Sequence, residues 1–336
     1  MFTFLTAVAS RDKPLPKLTK QFTLTDTGYT KTDYDGAYLY DANVIDDVVG
    51  VHEMALLLEA VADEPHSCLV RGEPIGPTEN IRRALRDDPV RGPATIRPVA
   101  AGVPWVMIDF DKMPVASHGF TTNAQRLNYL ASQLPPCFQE VTYFYQWSAS
   151  AGLYGWDLLS CHLWFWLDQP WLCRDLYERF SDGDFKHCGV DPAPFTPNQP
   201  HYTAAPIFTN CPDPLSTERS GLVQGSRDAV TLPPWVKPVV PKPVFTPIQY
   251  HAKFPFSRFQ ELLADIGPGY HAEILKAIAH YCAVASPAEF DRAWLIDRIQ
   301  EAIIYAPPGK NNKSDYSCIQ YLNRAIDGAM KFRRVL

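Results

Sequence analysis

The chain has 336 residues, 46% of them apolar and 20% charged, with a formal net charge of −6. That length allows two domains with a sizeable core, and the balance of apolar and charged residues excludes a disordered chain. The acidic balance argues against a protein that coats nucleic acid without specificity, and no apolar run reaches the ~18–20 residues needed to span a membrane.

The opening MFTFLTAVASRDK lacks a basic stretch ahead of its short apolar segment, so no signal peptide is expected. The eight cysteines are scattered without a CxxC pair, which predicts reduced thiols in a cytosolic chain. Residues 1–45 are rich in Thr, Tyr and Asp and predict irregular structure or short strands. Helical spacing predicts helices over 51–62 and 78–86. The run WVMIDFDK makes 103–110 a buried strand, and Thr caps with a Leu127, Leu130, Leu134 stripe predict a helix over 121–134 that Pro135 and Pro136 end. Residues 141–147 and 163–167 read as aromatic strands on either side of a small-residue turn at 148–152. Pro170 is expected to open a helix through Phe180.

Residues 231–256 carry seven prolines and predict a semi-rigid extended connector. Beyond it, helical spacing covers 257–266, 271–284, 286–305 and 314–335, with a capping box and N1 proline at Ser286, Pro287 and Glu289. The expected organisation is an α+β domain over 1–230, a connector over 231–256 and an all-α bundle over 257–336. Residues 250–336 hold 11 Lys/Arg against 9 Asp/Glu, and Lys331, Arg333 and Arg334 make the tail basic.

Chemistry concentrates in three places. Asp109 and Asp111 flank Phe110, and the period of two in a strand puts both carboxylates on one face, about 7 Å apart. Two such acids repel each other unless a cation bridges them, and hard oxygen ligands suit Mg²⁺ or Mn²⁺ held with phosphates. Ser160 and His162 enter the next aromatic strand. Asp191 follows an apolar Val190, where it reads either as a third metal ligand or as the opener of an Asp-Pro turn. His162 lies among aromatics, where a lone histidine reads first as a satisfied core residue. Ser148 and Ser150 read as turn caps or donors to triphosphate oxygens. Gln199, His201 and Tyr202 read as sugar- or base-facing groups or as a loop packed on the core. Arg82, Arg83, Arg86, Arg91 and Arg97 read as a solvated helix face or a grip for template. Cys161, Cys173, Cys188 and Cys211, with His187, lack paired spacing, so zinc is not expected.

The order D-h-D, then S-x-H, then h-D resembles the archaeo-eukaryotic primase superfamily, in particular the primase-polymerases of plasmids and phages. The turn Ser148–Gly152 ahead of Ser160 and the helical region after the core add to the resemblance, which covers residues 80–210 best. It implies an RRM-like catalytic core with a second small α/β module, followed by a helical bundle. It implies a nucleotidyltransferase that makes and extends primers on single-stranded DNA in the cytoplasm, in phage or plasmid replication. Asp109, Asp111 and Asp191 would hold two Mg²⁺ or Mn²⁺ ions, while His162, Ser160, Ser148 and Ser150 would bind the nucleoside triphosphate. A replicative helicase is the further partner implied, and no membrane is. Two other readings stay open: a metal-dependent nuclease or phosphatase on the same acids, and a non-enzymatic origin-binding protein.

Overall fold

The computed structural model describes residues 1–9, 14–235, 256–267, 269–307 and 312–333. Most of the expected proline-rich connector, residues 236–255, lies outside the described residues. The chain divides into two compact units, Met1–Pro238 and Val239–Leu336. The fold is mixed α+β, with eight α-helices and four small sheets among the described residues. No helix among them is long and apolar enough to cross a membrane.

The first unit opens with strands β1 (Phe2–Ala7), β2 (Gln21–Thr25), β3 (Gly28–Thr32) and β4 (Tyr40–Ile45), so the Thr- and Tyr-rich start is strands rather than coil. Helix α1 (Gly50–Val61) follows. Its buried Val51, Met54, Ala55 and Leu58 lie at the i, i+3, i+4, i+7 spacing of a core-facing stripe. Strands β5 (Ser67–Val70), β6 (Gly72–Pro74) and β7 (Ile96–Pro98) come next. β4-β1-β5 form one small sheet and β6-β7 pair as another.

The helix expected over 78–86 is absent. Asn80 adopts a left-handed backbone (φ 53°), which interrupts α-helical hydrogen bonding, and Ile81 bridges to Tyr40 instead. Arg82 donates to the carbonyls of Gly92 and Pro93, Arg83 donates to Asn198, and Arg97 pairs with Glu73. At least three of the five arginines therefore staple this excursion to its surroundings rather than line a helix face.

The central sheet is built from β8 (Val103–Pro114), β9 (Tyr143–Trp147), β10 (Leu158–Trp171) and β12 (Ser220–Val223). Helix α2 (Asn123–Ser132) joins β8 to β9, and α3 (Cys173–Ser181) and β11 (Ile207–Thr209) follow β10. The order is β12-β9-β10-β8, with every neighbour antiparallel. β8 and β9 are thus parallel to each other on either side of β10, and α2 is their crossover. Thr122 and Gln125 close a full capping box at the start of α2. Strand β10 runs through Pro170 to Trp171, so the helix begins at Cys173, later than expected. Gly102 is required at this junction: its φ is +78° and a Cβ would lie 2.5 Å from the Trp171 carbonyl carbon.

Alternation along β8 and β10 divides the core in two. Val106, Ile108 and Phe110, with Leu163 and Phe165, pack with residues of α2 and α3. Trp105, Met107 and Trp164 face the other way, onto Phe2 and Phe4 of β1 and onto Val51 and Met54 of α1. Each such fully buried large apolar side chain contributes about 1.5–3 kcal/mol relative to exposure. The unit continues past residue 230. Leu232 is buried in the same core and Arg179 donates to the Pro233 carbonyl at 2.8 Å, so the start of the expected connector belongs to this unit.

The second unit is all helical: α4 (Phe256–Ala264), α5 (His271–Val284), α6 (Arg292–Tyr305), α7 (Lys313–Ser317) and α8 (Ile319–Arg333). Phe259, Ile274, Ile278, Leu295, Ile299, Leu322 and Ile326 form its core. Glu289 accepts from the Ser286 amide and hydroxyl, yet the helix starts only after Asp291, whose carboxylate caps Trp294. Tyr281 explains the delay, since its hydroxyl binds both the Glu289 carbonyl and the Asp291 amide.

Candidate active site

Register brings the first two motifs together. His162 of β10 stands opposite Asp109 of β8 on one side and opposite Gln146 of β9 on the other, and Gln146 stands opposite Ser220 of β12. Asp109, His162, Gln146 and Ser220 form one row across four strands, each step about 4.8 Å. His162 Nε2 lies 3.6 Å from Asp109 Oδ1, and its Nδ1 is buried without a partner.

Asp111 is aimed by a bulge. Cys161 pairs with Phe110 but Leu159 pairs with Met113, so β8 carries one residue more than β10 between these points. Lys112 takes the extra place with a left-handed backbone (φ 54°). Ser160 clamps this kink: its hydroxyl accepts from the Lys112 amide at 2.8 Å and donates to Asp111 Oδ1 at 3.2 Å. The Asp111 side chain is 65% exposed against 25% for Asp109, so the two carboxylates share a wall at different depths.

Asp191 arrives from a separate loop. The Val190 side chain is buried, Gly189 turns left-handed (φ +68°), and the Asp191 amide reaches the Asp109 carbonyl at 3.4 Å. Its Oδ1 accepts from the Ala193 amide at 2.9 Å, so it also caps the Asp-Pro turn. Burial pushes the Asp109 carboxyl above its ordinary range. His162 opposes this, while Asp191 and Asp111 add to the upward push. Such crowding of carboxylates around a desolvated one suits a hard divalent cation. Among the described residues no three His, Cys, Asp or Glu side chains converge as a ligand set.

These groups line a cleft of about 1000 Å³ that also takes in Ser148, Ser150 and Ser160. Sequence reading missed several of its walls. Gln146 is buried, donates to the Thr203 carbonyl and leaves its Oε1 without a partner. Arg219 is buried in a two-point ion pair with Asp213 and donates to the Ser148 carbonyl at 2.8 Å, holding the serine turn in place. Lys20, Lys31, Tyr34 and Tyr154 stand on the same cleft. Only the cross-strand pairing reveals Gln146, because nothing in its local sequence separates it from other strand residues.

His201 is placed differently from its neighbours. A pair of backbone bonds to Leu69 fixes it, and its ring is 1% exposed, 5.7 Å from both the Trp105 and Trp164 rings. Burial holds its imidazole well below the usual histidine range, helped by Arg71 and His162, so it stays neutral. Tyr202 stacks on Tyr34 and Gln199 is exposed. The eight cysteines are all free thiols. Comparison with known proteins finds no family model, no curated protein and no solved structure that matches this chain.

Proposed function

We propose that the chain is a metal-dependent nucleotidyltransferase of the primase-polymerase type, which starts and extends strands on a single-stranded template. The observation that carries this reading is the register that sets His162 directly across from Asp109, beside Asp111 and with Asp191 bonded to the same strand. Three carboxylates and an imidazole from three separated segments line one cleft, in an order that resembles that of the archaeo-eukaryotic primases. The β8-α2-β9-β10-α3-β12 order, with β10 between β8 and β9, supports an RRM-like core. One feature departs from that pattern: β12 pairs beside β9, whereas an RRM sheet closes beside its first strand.

Asp109, Asp111 and Asp191 are the residues that would hold Mg²⁺ or Mn²⁺. Bound there, divalent cations neutralise triphosphate charge and ease deprotonation of an attacking hydroxyl. The chain's own groups do the rest. His162 Nε2 is placed to donate to a phosphate oxygen lying beside Asp109, where charge grows in the transition state. Ser160 fixes the bulge that orients Asp111, and Arg219 fixes the turn that presents Ser148 and Ser150. By the same resemblance, the helical unit would bind template.

The test is to supply single-stranded template, nucleotides and Mn²⁺ and to follow both pyrophosphate release and strand length. Lengthening products that vanish in Asp109→Asn support the reading. A second reading, metal-dependent phosphohydrolysis, uses the same carboxylates. Phosphate release without any new strand would favour it.

A further inference from the structure

We propose that a single-stranded nucleic acid runs along the rim of the cleft on a platform made by Tyr34 and Tyr154, with its backbone held by Lys20 and Lys31. The proposal rests on the nucleotidyltransferase reading and gives a role to the Thr- and Tyr-rich N-terminal segment. Both tyrosines line the cleft that contains Asp109 and Asp111, yet Tyr34 is 42% and Tyr154 67% exposed. Exposed aromatic rings beside a cleft offer stacking faces to unpaired bases. Tyr34 is also held ready: it stacks on Tyr202 at 4.3 Å with a 23° tilt, so the ring is ordered before any base arrives.

Charge points to the same occupant. The cleft walls carry Asp109, Asp111, Asp157, Asp191 and Asp213, and this acidic interior repels a phosphate backbone. Lys20, just before β2, and Lys31, in β3, line the same cleft beside Tyr34. Lys20 lies 5.5 Å from the centre of the Tyr34 ring, and Lys31, ion-paired with Asp33 at 2.9 Å across the solvent-facing side, is 43% exposed, so a phosphate would share it with an exposed carboxylate. A strand with bases on the tyrosines and phosphates on the lysines keeps its backbone out of the acidic floor while its end reaches the carboxylates. Aromatic faces alternating with cations suit single strands, whose bases are free to stack, and not duplexes.

The experiment uses the full chain and a fluorescein-labelled oligo(dT), with binding read by anisotropy in EDTA and again in Mn²⁺. Tyr154→Ala and Tyr34→Ala should each weaken binding roughly 5- to 150-fold, while the Phe variants bind like wild type. Lys20→Gln and Lys31→Gln should each flatten the dependence of log K on log salt by about 0.7. Because Tyr154 sits on an exposed turn, its removal tests the platform even if Tyr34→Ala disturbs the fold. Binding within twofold of wild type in both alanine variants overturns the proposal. So does equal competition by polyglutamate of matched charge, which would make the rim a general anion patch or a dock for acidic protein. Strand binding that is lost in the alanine variants, with no nucleotide incorporation by wild type, upholds the platform and sinks the polymerase reading. Incorporation by wild type with undiminished binding by the variants does the reverse.

Discussion

The two faces of the β8–β10 ribbon follow opposite rules although they share every residue of backbone. On one face Val106, Ile108, Phe110, Cys161, Leu163 and Phe165 are each at most 1% exposed and pack as a continuous apolar layer. The other face begins alike with Trp105, Met107 and Trp164, then turns polar at Asp109 and His162. Beneath the cleft it leaves Gln146 Oε1, His162 Nδ1, both ring nitrogens of His201 and Thr203 Oγ1 buried without partners. Asp109 and His162 thus stand at one end of one face, where a residue and its immediate neighbour have unrelated surroundings.

Residues 109–111 give the sharpest test of that division. Asp109→Asn and Asp111→Asn should each lower nucleotide incorporation by roughly 10²–10³-fold or more, with melting temperatures equal to or above wild type. Phe110→Ala, between them, should do the opposite: it removes a side chain from the apolar layer and costs about 3–5 kcal/mol of stability. Calorimetry beside a primer-extension assay separates the two. Loss of fold in the Asp variants would erase the distinction between the faces.

His162 comes next in size. His162→Ala should lower kcat/KM for the nucleotide roughly ten- to thousand-fold while leaving oligonucleotide binding intact. Its ring is 20% exposed, and its Nε2 faces a carboxylate at the cleft rather than a core group. A large drop in melting temperature with unchanged kinetics in the soluble fraction would return it to the core.

Smaller effects belong to the bulge. Ser160→Ala deletes the hydroxyl that holds the Lys112 amide and Asp111, a loss of about 1 kcal/mol in stability. It should lower incorporation more than it lowers nucleotide affinity, because it frees Asp111 without touching His162. Lys112→Gly relieves a left-handed backbone and should gain about 1 kcal/mol in urea denaturation. If both variants behave as wild type in stability and rate, the bulge is an accident of pairing rather than a device.

Much of this face was legible in the residues. Period two places Asp109 and Asp111 opposite Phe110, and the aromatic run after Ser160 marks a strand. Partner and register were not legible, because pairing of β8 with β10 links residues about 50 apart and depends on the whole sheet. The bulge was hidden for the same reason: Asp-Lys carries no glycine to announce a left-handed turn. Residues 78–86 misled because helical spacing outweighed the pull of distant carbonyls on Arg82 and Arg83. His201 could be a core residue or a site residue in the sequence, and only its bridge to Leu69 decides that it packs beneath the cleft.

The smallest predicted effect is a pH dependence that reports the burial of Asp109 directly. Burial, together with Asp191 and Asp111, raises its carboxyl pKa above the unfolded value of about 3.9, so between the two values the folded chain binds more protons than the unfolded one. Stability of the metal-free protein therefore falls as pH rises through that window and levels off above the folded value. Asp33, Asp88 and Asp228, whose carboxyls are lowered mainly by hydrogen bonds to Lys31, to backbone amides and to Thr142, pull total stability the other way. The useful quantity is thus the difference between Asp109→Asn and wild type at each pH. That difference should grow from its acid-end value as pH rises, with the variant becoming the more stable, and should reach a plateau above the raised pKa. Millimolar Mn²⁺ favours the ionised wild-type carboxylate, so it should shrink the plateau without moving the acid end. A difference that is flat in pH would mean that Asp109 is not held against its charge, and a plateau indifferent to Mn²⁺ would remove the cation from this wall of the cleft.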